Sequence, residues 1–94
     1  MPNISVVPEP LADFIKSFCN VNAPSVDLLA KYIHDNRENQ RIKAFRKQLH
    51  EAIENNTLTP EQYELLTDED FDSQEALNKW LKELWLEIYG VEFN

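Results

Sequence analysis

Residues 72 to 90 read DSQEALNKWLKELWLEIYG, and this stretch decides the fold. Leu77, Trp80, Leu81, Leu84, Trp85 and Ile88, followed by Tyr89, recur three and four residues apart. That spacing lays them along one face of an α-helix for three turns. The intervening positions are mostly Glu, Lys, Gln and Ala, which favour helix. Asp72 as N-cap with Glu75 three residues on reads as a capping box. Gly90, the only glycine in the chain, stands where a helix end wants a left-handed residue.

The same reading extends upstream. In Thr59-Pro60-Glu61-Gln62, Thr59 is placed as N-cap, Pro60 as N1 and Gln62 as N3, with Leu58 and Tyr63 as a hydrophobic staple across the start. The short helix that follows is expected to end near Thr67. A longer one runs from about Glu38 to Asn55 on Ile42, Phe45, Leu49, Ala52 and Ile53, with Asn55-Asn56 as its stop. Val26, Leu29, Ala30 and Ile33, widened by Leu28 and Tyr32, predict a helix between Ser25 and Asn36. From Pro10, the stripe Leu11, Phe14, Ile15, Phe18 and Cys19 predicts another, stopped by Asn20 to Pro24. Residues 1–8, with Pro2 and Pro8, read as an extended lead-in. Five short helices on short links predict an all-α domain spanning residues 1–94, orthogonal or bundle-like, built round the last helix.

Composition narrows the function classes. One glycine in 94 residues, against roughly 7% usually, argues against a glycine-rich phosphate loop. Seventeen acids against nine bases give a formal charge of −8, which repels nucleic acid and anionic membrane and favours a basic partner. The lone Cys19 has no disulfide partner within the chain. With no basic, apolar leader at the N-terminus and no run of ~20 apolar residues for a membrane span, the expected compartment is the cytoplasm.

The charges are also segregated along the chain. Arg37, Arg41, Lys43, Arg46 and Lys47 crowd one segment, whereas Glu51 to Glu75 contains nine acids and no Lys or Arg. Pairing between the two segments is the expected role of the bases, and the overall charge argues against their contacting nucleic acid directly. Asp68-Glu69-Asp70 repel one another with no base near in sequence. The acids Glu61, Glu64, Asp68, Glu69, Asp70 and Asp72, with the rings of Tyr63 and Phe71, are therefore the candidate partner-binding residues: the rings anchor, the carboxylates steer.

Catalytic and metal chemistry is not expected. A calcium loop opening at Asp68 requires Gly at its sixth position and Glu at its twelfth, where Ser73 and Lys79 stand. His34 and His50 lie on different predicted helices and in no ligand-spaced pair. Cys19 falls on an apolar stripe, which predicts a buried, inert thiol. No motif sets a base beside a Ser or Thr nucleophile, so no catalytic residue and no cofactor are assigned.

Three stretches carry a family resemblance: Phe45-Arg46-Lys47-Gln48-Leu49, Leu58 to Thr67 (LTPEQYELLT), and Asp70 to Leu81 (DFDSQEALNKWL). Together they resemble small acidic immunity proteins that accompany bacterial polymorphic toxins, including contact-dependent growth inhibition systems. The likeness covers the C-terminal half. It implies a cytoplasmic protein that binds and neutralises the toxin domain of its own lineage. The contact residues of such proteins vary, so none is carried over. Because a nuclease needs a cationic groove for phosphate, an acidic helical surface suits a nuclease toxin in particular. Two other readings stay open: an acidic nucleic-acid mimic, regulatory or anti-restriction, and a small DNA-associated helical domain using Arg37 to Lys47.

Overall fold

The computed structural model describes residues 7–20 and 25–93. It contains helices α1 (Leu11–Phe18), α2 (Val26–Asp35), α3 (Gln40–Asn55), α4 (Pro60–Thr67) and α5 (Gln74–Tyr89), with no strand among the described residues. The all-α expectation is met. Most of the lead-in (residues 1–6) and most of the stop after α1 (residues 21–24) lie outside the described residues. Val7 and Pro8, at the end of the lead-in, form no regular structure.

The capping chemistry explains where the helices begin. At Thr59 both halves of the capping box form: the Gln62 N–H donates to Thr59 Oγ1 at 3.2 Å, and the Thr59 N–H donates to Gln62 Oε1 at 2.9 Å. Two starts differ from the sequence reading. α3 begins at Gln40, two residues later than expected, because extended Asn39 caps it by accepting from the Arg41 N–H at 2.8 Å. α5 is capped by Ser73 and not by Asp72. Ser73 is the extended residue, and its Oγ accepts from the Ala76 N–H at 3.1 Å. Glu75 then falls at N2, so the box read on Asp72 does not form. The three later helices end on left-handed residues, Asn56 (φ 55°), Asp68 (φ 63°) and Gly90 (φ 72°). Asn and Asp tolerate that geometry through local hydrogen bonding, which lets a chain with one glycine close three helices this way.

α5 is the central post. Leu77, Leu81, Leu84, Trp85 and Ile88 are buried, and α2 makes the most extensive contact with α5, through a face that buries Leu29 and Ile33. α1 bridges α2, α3 and α4, with Leu11, Phe14 and Ile15 inside. Within this core Phe14 meets Phe45 at 5.0 Å between ring centroids. Gln74 ties the start of α5 to the entry of α4 by donating from Nε2 to the Leu58 carbonyl at 2.8 Å. Trp80, expected in the core, is only half-buried, at the edge of the hydrophobic cluster. The radius of gyration is 12.6 Å, near the ~12 Å of a compact chain of this length.

Candidate functional site

The acidic candidates stay at the surface. Glu61, Glu64, Asp68, Asp70 and Asp72 are exposed. Glu69 is half-buried, its N–H donating to Thr67 Oγ1 at 3.1 Å. Among the described residues none of the six forms an ion pair. The expected pairing with the basic segment does not occur. Arg41 turns instead to Asp13 on α1, at 2.6 Å, with its guanidinium 5.2 Å above the Phe14 ring. Lys43 stands 4.0 Å from Glu38 beside it, and the remaining pair among the described residues is Lys31–Asp35 within α2. On α3, Arg41 reaches α1 and Arg46 stacks on α5, whereas the acids lie on α4 and the link to α5.

The two aromatic candidates behave differently. Tyr63 is wholly buried and cannot anchor a partner from the surface. Its position at N4 turns the ring inward, where its hydroxyl accepts from Trp80 Nε1 at 2.7 Å and lies against the Cys19 thiol. Burial pushes that thiol up to about 12, despite the lowering effect of the Tyr63 hydroxyl, so Cys19 is a protonated and inaccessible group at neutral pH. Burial likewise raises the Tyr63 hydroxyl well above its ordinary value. Phe71 is half-buried, packed edge-on against Tyr63 at 5.5 Å.

The exposed apolar group on this face is Leu65, 83% accessible. Glu61 lies one turn before it on α4, Glu64 beside it and Asp68 one turn after. A signal for it existed in the sequence. With Tyr63 and Thr67 pointing inward four residues apart, a residue midway between them must face out.

A second feature lies where α2, α3 and α5 meet. They border a groove of about 830 Å³. Its apolar surface comes from Ile33, Ile42, Trp85, Ile88 and Tyr89, and its cationic rim from Arg37, Lys43, Arg46 and Lys47, with Glu38 and Glu51 as the acids. His34 and His50, on different helices, both line it. His50 packs its ring 4.7 Å from Phe93 and 5.7 Å from Trp85. The Arg46 guanidinium lies over two rings at once, 5.6 Å from Trp85 and 5.2 Å from Tyr89, a cation–π arrangement that holds it in place. The Tyr89 hydroxyl oxygen is buried and has no hydrogen-bond partner among the described residues. Burial pushes this phenol up to about 12, with Arg46 opposing the rise.

Among the described residues no three His, Cys, Asp or Glu side chains gather in a metal-holding group. No helix there is long and apolar enough to cross a membrane. No family model matches the chain, and no curated protein or solved structure matches it.

Proposed function

We propose that this protein is a stoichiometric inhibitor of the immunity type, which binds a cognate bacterial toxin domain through α4 and the link to α5. The observation that carries the reading is Leu65, largely presented to solvent and flanked on α4 and its C-cap by Glu61, Glu64 and Asp68, none of which is ion-paired among the described residues. An isolated exposed leucine needs no explanation. One set among unpaired carboxylates has the composition of a binding face, with an apolar group to desolvate and a charged rim to steer. Half-buried Phe71 and exposed Asp70 and Asp72 follow in the link to α5. The charge complement is a cationic surface such as the phosphate-binding groove of a nuclease.

The test is co-expression with the toxin encoded beside its gene, with cell survival and association kinetics as readouts. Wild-type protein is expected to protect. Leu65→Ala is expected to weaken the complex by about tenfold or more, as for an apolar hot spot. Neutralising Asp68, Glu69 and Asp70 together to the amides is expected to slow association and flatten its salt dependence. Asn at position 68 keeps a residue suited to the left-handed backbone there, so the fold is preserved. Full protection and unchanged kinetics for both variants would make this face ordinary solvated surface.

A further inference from the structure

The groove between α2, α3 and α5 is not used by that function, and its chemistry is of the opposite sign. We propose that it is a binding site for a small amphiphilic carboxylate, with the apolar body lying on Trp85, Ile42 and Ile88 and the carboxylate held by Arg46 and the Tyr89 hydroxyl.

Three observations converge on this occupant. First, about 830 Å³ falls within the ~300–1,000 Å³ typical of small-molecule sites, which are mostly apolar with few polar groups. Second, Arg46 and Lys47 on its rim form no ion pair among the described residues, although the chain carries 17 acids. Stacking on Trp85 and Tyr89 fixes the Arg46 guanidinium in advance, and a guanidinium edge matches the two oxygens of a carboxylate. Third, the Tyr89 hydroxyl is buried with its donor unused among the described residues, an arrangement that costs stability until an acceptor arrives. The phenol is protonated at neutral pH, as any tyrosine is, and burial only raises it further, so it presents a donor where a carboxylate needs one. The hydroxyl is covered in the free protein, so a head group meets it only as the side chains over it give way, which a small ligand in the groove allows and a carboxylate projecting from a folded protein surface does not.

The test uses octanoate and decanoate below their micellar concentrations, with octanol as the uncharged control, followed by heteronuclear NMR. The two tryptophans give two indole signals that serve as internal reporters. Trp85 lies in the groove, whereas Trp80 is tied to Tyr63 outside it. Saturable shifts of the Trp85 indole and of amides in residues 42–50 and 85–89 are expected, with the Trp80 indole unmoved. Octanol is expected to bind about tenfold more weakly than octanoate, and Arg46→Gln to lose a similar factor for decanoate, in line with removal of one charge-assisted hydrogen bond. Tyr89→Phe leaves the stacking ring in place, so a weaker complex in that variant assigns the hydroxyl its role even if Arg46→Gln perturbs the fold. The proposal is overturned by shifts that do not saturate, by equal affinity for octanol and octanoate, or by unchanged decanoate affinity in both variants. It is equally overturned if a glutamate-rich amphipathic peptide shifts these signals where decanoate does not, which would make the groove a protein-docking site.

Discussion

Replacing Tyr63 by Phe separates a core role from a surface role at a position that the sequence reads both as a helix staple and as a candidate partner anchor. The substitution removes one oxygen from a fully buried residue and leaves the ring in place. That oxygen accepts the Trp80 indole N–H at 2.7 Å and lies against Cys19. Its loss strands a part-buried donor, a change that costs about 1–3 kcal/mol; the partial exposure of Trp80 pulls toward the lower half of that range. For a domain of this length, each kcal/mol lowers the melting temperature by roughly 4–8 °C. Urea unfolding followed by tryptophan fluorescence is the assay, with an unchanged slope against denaturant as the control that the end states are the same. A double-mutant cycle with Trp80→Phe should return a coupling of about 1 kcal/mol for the hydrogen bond itself. The reasoning fails if Tyr63→Phe changes stability by less than ~0.5 kcal/mol, the level of a neutral surface substitution, while lowering partner affinity. That pattern belongs to an exposed anchor.

Two further outcomes follow from local geometry. Ser73→Ala should destabilise the fold by about 0.5–2 kcal/mol, as for loss of an N-cap, and Asp72→Ala by much less; thermal unfolding of the two variants decides which residue starts α5. Stability should also decline in alkali. Cys19 and Tyr89 have folded values raised to about 12 from ordinary values of 9.0 and 10.0. Both groups are uncharged when protonated, so above pH 9.0 the unfolded chain releases protons that the folded chain retains. Their contribution is therefore complete below pH 9.0 and is lost as the pH rises toward 12. The slope is up to ~1.4 kcal/mol per pH unit for each ionising group. Denaturant unfolding between pH 8 and 11 measures it, and a flat profile refutes the burial of the thiol.

The helices were legible in the sequence because their signals are local. Spacing of apolar residues and the Thr59 box depend on neighbours within four positions, and both appear in the structure as read. The start of α5 was ambiguous locally, since Asp72 and Ser73 are both good caps and the backbone selects between them. The inward turn of Tyr63 was also implied by its staple position. Its chemistry beside an acidic run suggested the surface instead, and burial decided the matter. The groove was not legible. It needs Ile33 of α2, Arg46 of α3 and Tyr89 of α5 in one place, and nothing in the spacing of residues 33, 46 and 89 encodes how three helices meet. His34 and His50 were correctly placed on separate helices, yet both face this groove. The basic run was visible, but its partners were misjudged because Asp13 lies 28 residues from Arg41.

The unpaired carboxylates of α4 and its following link also affect the protein when it is alone. Like charges held close repel, and none of these acids is ion-paired among the described residues, so folding concentrates negative charge that the unfolded chain spreads out. Dissolved ions screen this self-repulsion over about 10 Å at 0.1 M ionic strength. Salt therefore favours the folded chain, in contrast to a protein held together by surface ion pairs. The same ions screen the attraction of a cationic partner and slow its approach. Ionic strength thus acts on one set of side chains with opposite sign in folding and in association, and a partner that covers them relieves a strain that the free protein carries.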